Sequence, residues 1–185
     1  MSVKKKIIII FIFGIILISL FVKIQSDNKL DAKVETIIYQ LNHTENDVYK
    51  IHKINNNQAL AFYTWGYPNQ DHLGVIELKK QGLIWKFNKA VSNYIEYDEV
   101  KFSCNFSAFE NVKLYQGKLS NKIDEVIVRT DDNRQFKAEV IESEHGDKMW
   151  YLILEDEPFE VATFVLKDSK GLIINELEVT IDLKW

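Results

Sequence analysis

The chain has 185 residues, 46% of them hydrophobic and 12% aromatic, with only 7 Gly and 2 Pro. That is enough for one packed domain or two small ones, and it excludes a collagen-like, disordered or linker-rich chain. Residues 1–26 hold four lysines and no acid, so everything from Asp27 onward carries all 27 acids against 19 bases. This excess of negative charge repels phosphate backbones and argues against a nucleic-acid partner.

Lys4, Lys5 and Lys6 precede a run from Ile7 to Val22 that only Gly14 and Ser19 interrupt. Extended past Lys23 to Ile24, the run has eighteen residues. At a helical rise of about 1.5 Å per residue it spans roughly 27 Å, close to a thin hydrocarbon core. Lys23 can snorkel to the headgroups, and the leading lysines favour an N-terminus inside and a C-terminus outside. The expectation is a single-pass anchor through residues 7–24, with the remainder held outside the cytoplasm. The rival reading is a signal peptide cleaved after Ser26, which leaves a secreted chain beginning at Asp27. No cysteine follows the run, so a lipid-modified N-terminus is excluded.

Lys29 to Leu41 reads as an amphipathic helix. Leu30, Val34, Ile37, Ile38 and Leu41 form one stripe of a 3.6-residue period, and Asp27 or Asn28 stands where a cap is needed. Strands are predicted at Val48–Ile54, Gln58–Thr64, His72–Lys79, Leu83–Asn88 and Val100–Ser107, with a hairpin through Lys80-Gln81-Gly82. Phe62, Trp65, Trp85 and Phe87 are the expected core of this half. From Val112 the texture becomes one of short strands between polar turns: Val112–Leu119, Ile123–Thr130, Gln135–Glu142, Lys148–Leu154, Phe159–Lys167 and Leu172–Leu183. The predicted fold is α+β and mostly antiparallel β. Residues 1–26 are the transmembrane anchor or signal peptide, 27–109 a helix packed on a small sheet, and 110–185 a small β-sandwich of immunoglobulin-like size. No Pro-rich or Ser-rich linker separates the two halves.

The segments GVIELKKQGLIWKF, LYQGKLSNKIDEVIV, AEVIESEHGDKMWYLIL and VLKDSKGLII follow one another in an order that resembles a group of small exported or membrane-anchored proteins of Bacillus and relatives. The resemblance covers most of the chain after the hydrophobic run. It implies an architecture and a location, and it supplies no activity and no site.

Chemistry-bearing motifs are few. Cys104 is the single cysteine, so no intramolecular disulfide can form; period-two alternation puts it on one face with Val100, Phe102 and Phe106, as a small buried hydrophobe. His43, His52, His72 and His145 have no i,i+3 or i,i+4 partner, and neither H-E-x-x-H, C-x-x-C nor G-x-S-x-G occurs. Two candidate sites stand out. The turns holding Asp131 and Asp132 and Glu155, Asp156 and Glu157 fall at the same end of consecutive strands, where their carboxylates could converge on Ca²⁺, the one candidate cofactor. Tyr63, Trp65 and Tyr67 beside a Gly-Tyr-Pro turn, with Tyr94 and Tyr97 further on, suit contact with carbohydrate or protein. The expected function is non-enzymatic: a membrane-tethered extracytoplasmic protein that binds a protein or an envelope component. The alternative is an envelope hydrolase using dispersed carboxylates.

Overall fold

The computed structural model describes residues 3–28, 30–42, 46–66, 72–94, 102–143 and 145–183, and within the first helix the side chains of residues 11–22 and 24. Two helices, α1 (Val3–Asn28) and α2 (Leu30–Asn42), precede the strands. The first four strands, β1 (Asn46–Asn55), β2 (Gln58–Trp65), β3 (His72–Gln81) and β4 (Ile84–Tyr94), pair in sequence order as an antiparallel meander. A second sheet has the order β5 (Asn105–Phe109), β6 (Val112–Leu119), β10 (Lys148–Leu154), β9 (Glu139–Glu142). A third has the order β12 (Ile173–Thr180), β11 (Val161–Lys167), β7 (Glu125–Thr130), β8 (Gln135–Lys137). The protein is thus mostly antiparallel β, as its short alternating runs predict.

The layers stack as α2, first sheet, second sheet, third sheet. Leu30, Val34, Ile37 and Ile38 bury the stripe of α2 against Ala59, Ala61, Tyr63, Ile76, Leu78 and Trp85. The opposite face of the first sheet, with Leu60, Phe62, Leu73 and Val75, packs on Leu114, Met149 and Tyr151 of the second. The other face of the second sheet closes the sandwich with the third through Tyr115, Trp150, Leu152, Val126, Val128 and Phe164. β2 and β3 are covered on both faces and read as near-continuous apolar runs, whereas β12 lies at an edge and alternates. Tyr115 clamps the sandwich: its ring stacks on Phe159 at 4.1 Å, and its hydroxyl donates to Phe159 O and accepts from Phe159 N, each at 2.8 Å.

Several expectations change. Asp27 and Asn28, expected to cap α2, are the last residues of α1. Leu41, the final residue of the apolar stripe, is exposed one turn beyond the core. Phe87, an expected core residue, is 44% exposed because it sits on edge strand β4 beside a bulge at Asn88. Of the strand expected from Val100, Val100 and Lys101 lie outside the described residues; Phe102 forms an isolated bridge with Leu119, and β5 starts at Asn105. The run Gln135–Glu142 is two strands in different sheets: β8 pairs with β7, β9 with β10, and the chain steps between layers at buried Ala138. Because β5 pairs with β6, a boundary at Glu110 falls in the turn of a hairpin. The expected transmembrane helix falls on α1; among the described residues, no helix is long and apolar enough to cross a membrane.

One backbone approach requires glycine. A Cβ on Gly117 would lie 1.7 Å from Ser103 O, the acceptor of Trp150 Nε1 at 2.9 Å. Neither the strand backbone nor the buried indole can give way. Gly117→Ala is expected to lower unfolding free energy by about 3 kcal/mol in urea titration with an unchanged m-value. A loss below about 0.5 kcal/mol would show that the segment around Ser103 is free to shift.

Candidate functional site

The register of the first sheet assembles an aromatic row that spacing along the chain does not show. Trp65 pairs with His72, and His72 with Tyr94, at one end of β2, β3 and β4. The Trp65 indole stacks on the His72 ring at 4.2 Å and 25°, and Tyr94 meets the same imidazole edge-on at 5.4 Å and 75°. Trp65 Nε1 donates to Ser92 Oγ at 2.8 Å, which fixes the indole plane. Tyr94 is 62% exposed. Three rings held at set angles on paired strands offer flat apolar faces at low entropic cost, the property that makes such side chains effective in recognition.

Of the residues singled out for binding, Trp65 belongs to this row. Tyr63 does not: it is only 1% exposed, its ring lying over Gly74, where a Cβ would stand 2.2 Å from it. Alternation along β2 puts Tyr63 and Trp65 on one face, but α2 covers that face at Tyr63. Tyr67 and Tyr97 lie outside the described residues. The place of His72 between two aromatics follows from cross-strand pairing alone.

The acidic turns do lie close together, but through a base. Arg134 donates from Nε to Asp132 Oδ2 at 2.7 Å and from Nη1 to Glu157 O at 3.1 Å, so a guanidinium joins the two turns. Asp132 also accepts from Thr130 Oγ1, and that hydrogen bond, with those from Arg134, holds its carboxyl below the usual range. Asp131 accepts from the Asp132 amide, and Glu155, Asp156 and Glu157 are exposed. Among the described residues, no group of three or more His, Cys, Asp or Glu could hold a metal ion.

Cys104 packs with Phe102 and Phe106 against the sandwich core, and burial pushes its thiol up to about 12, so it is a poor nucleophile.

A second polar constellation joins the first sheet to the second. Tyr151 on β10 donates its hydroxyl proton to Glu139 on β9; His52 Nδ1 on β1 lies 3.0 Å from the same oxygen, and Lys50 Nζ is 2.6 Å from Glu139 Oε2. With the Tyr151 hydroxyl hydrogen directed at Glu139, His52 must carry its own on Nδ1, which leaves Nε2 as the acceptor nitrogen. Burial lowers the His52 pKa and nearby Lys50 adds to this, against the pull of Glu139. Burial acts to raise Glu139, but hydrogen bonds from Lys50 and Tyr151 outweigh it and hold the carboxyl below its usual range. Burial first and the Glu139 hydrogen bond next push the Tyr151 phenol up. The groups satisfy one another, so the arrangement is a clasp between layers. Lys50 and Glu139 are 89 residues apart, which no local pattern reports.

The clasp sets a pH dependence. His52 is shifted down from 6.5, so its share of stability is complete above that pH and lost as pH falls through the folded value; Glu139 is shifted down from 4.5 and its share is lost further into acid. Stability is expected to fall between about pH 7 and about pH 5, and less steeply in His52→Gln. An identical slope in the variant would remove His52 from the account. Tyr151→Phe keeps the ring stacked on Phe62 but removes the shared oxygen, with an expected loss of about 1–2 kcal/mol by urea titration.

No family model, curated protein or solved structure matches the chain.

Proposed function

We propose that the chain is a non-enzymatic, membrane-tethered extracytoplasmic protein that binds a glycan or protein of the cell envelope through the Trp65–His72–Tyr94 row. The observation that carries the binding reading is that row, with its fixed ring planes and exposed Tyr94. A sugar ring offers CH faces to such aromatics and hydroxyls to the His72 and Tyr94 polar atoms. The acidic surface disfavours anionic wall polymers, which points to a neutral glycan or a protein segment.

The tether reading is supported by α1. Its large apolar side chains between Phe11 and Ile24 are 49–70% exposed on all sides of the helix, a surface that a hydrocarbon layer would cover. The adjoining sequence Ile7 to Ile10 brings the apolar run to eighteen residues.

Retention of the full chain on isolated cell-envelope material is expected to fall at least about tenfold in Trp65→Ala/Tyr94→Ala, with an unchanged far-UV spectrum. Equal retention would sink the binding reading. Ile15→Lys/Ile18→Lys is expected to release the chain from sedimented membranes into the soluble fraction. A mature N-terminus at Asp27 would replace the tether with secretion and leave the aromatic row untouched.

A further inference from the structure

The two ends of the first sheet differ in chemistry. The aromatic row occupies the end where β1 begins and β2 stops. The opposite end carries the β3–β4 hairpin, with exposed Leu83, Ile84 and Phe87. In a chain whose acids outnumber its bases, the segment from Leu78 to Tyr94 holds four lysines and no acid. Lys79 is taken by Glu110 and lies 4.0 Å from Glu77. Lys80 sits over the Trp85 ring at 5.2 Å, Lys86 is exposed, and Lys89 donates to Ala108 O at 3.0 Å. Trp85 faces α2, and its neighbours Ile84 and Lys86 point to the other side, so the tip shows apolar and basic groups on both faces.

Chain connectivity puts this hairpin beside the end of α1. Only three residues separate Asn42, the end of α2, from Asn46, the start of β1, so α2 ends at the aromatic-row end of the sheet and begins at the hairpin end. One residue separates Asn28 of α1 from Leu30 of α2. α1 also contacts β4 directly, and Leu30 shares a core with Trp85.

Resting on the reading of α1 as a membrane anchor, we propose that the β3–β4 hairpin is a second membrane contact. Leu83, Ile84 and Phe87 enter the interfacial layer of the bilayer that holds α1, and Lys80 and Lys86 lie against anionic lipid headgroups. Apolar tips with lysines beside them suit that layer, because the side-chain stems bury while the ammonium groups meet phosphate. The same placement turns the aromatic row away from the membrane, toward the envelope.

The test uses the full chain with Cys104→Ala and a bimane fluorophore on Ile84→Cys, and for comparison on Glu178→Cys of β12. Each is mixed with vesicles of phosphatidylcholine alone or of phosphatidylcholine with phosphatidylglycerol, with and without headgroup-level nitroxide lipid. The expected result is a blue shift and several-fold stronger quenching at position 84 than at 178, greater in the phosphatidylglycerol vesicles and reduced by Lys86→Glu. Flotation with the vesicles but equal, weak quenching at both positions overturns the hairpin contact and leaves the anchor standing. Quenching at 84 that is the same in both vesicle types overturns the headgroup contact of the lysines. Failure to float with either vesicle overturns the anchor reading, and the hairpin proposal with it.

Discussion

Phe62 of the first sheet stacks on Tyr151 of the second, ring centroids 4.4 Å apart, and the layered structure turns on that contact. The first sheet could otherwise bury only one face, against a helix of 13 residues, and the second only one, against the third sheet. Joining them covers both faces of β2, β3, β6 and β10 and merges three small cores into a continuous stack. For a chain with one cysteine, apolar burial of this extent does the work that disulfides do in many small exported domains.

The same interface holds polar groups, and it handles them unequally. Glu77 is buried on β3, yet its carboxylate accepts from Gln58 Nε2 at 2.7 Å and from Asn88 Nδ2, the residue that forms the β4 bulge. The Lys50, His52, Glu139 and Tyr151 clasp is likewise self-satisfied at the layer edge. Between these lie Ser107 and Gln116, buried and with side chains that have no hydrogen-bond partner among the described residues. Such a group costs about 1–3 kcal/mol relative to a paired one, so this face gives up stability that an all-apolar interface would keep.

The direction of α2 gives the proposed function its polarity. A short helix lying along a meander, with its start beside the end of α1, sends the basic apolar hairpin to one end and the aromatic row to the other. A tethered binding protein needs such a division, with contacts to the membrane and to the envelope that do not compete for one surface.

The sequence by itself determined the element types, because periodicity is a local property. The 3.6-residue stripe of α2, the polar turns and the alternating runs mark almost every strand, with β6 and β10 bounded as expected. The packing of partly buried Cys104 with Phe102 and Phe106 is legible for the same reason. Only the tertiary structure decided what depends on register and layer order. The split at Ala138 is invisible along the chain, since both halves are extended and only their partners differ. Tyr63 and Trp65 alternate identically, and it is the reach of α2 over the sheet that buries one and leaves the other half-exposed beside His72 and Tyr94. Arg134 bonds to both acidic turns, and the direction of its side chain, which spacing does not encode, decides that a guanidinium joins them.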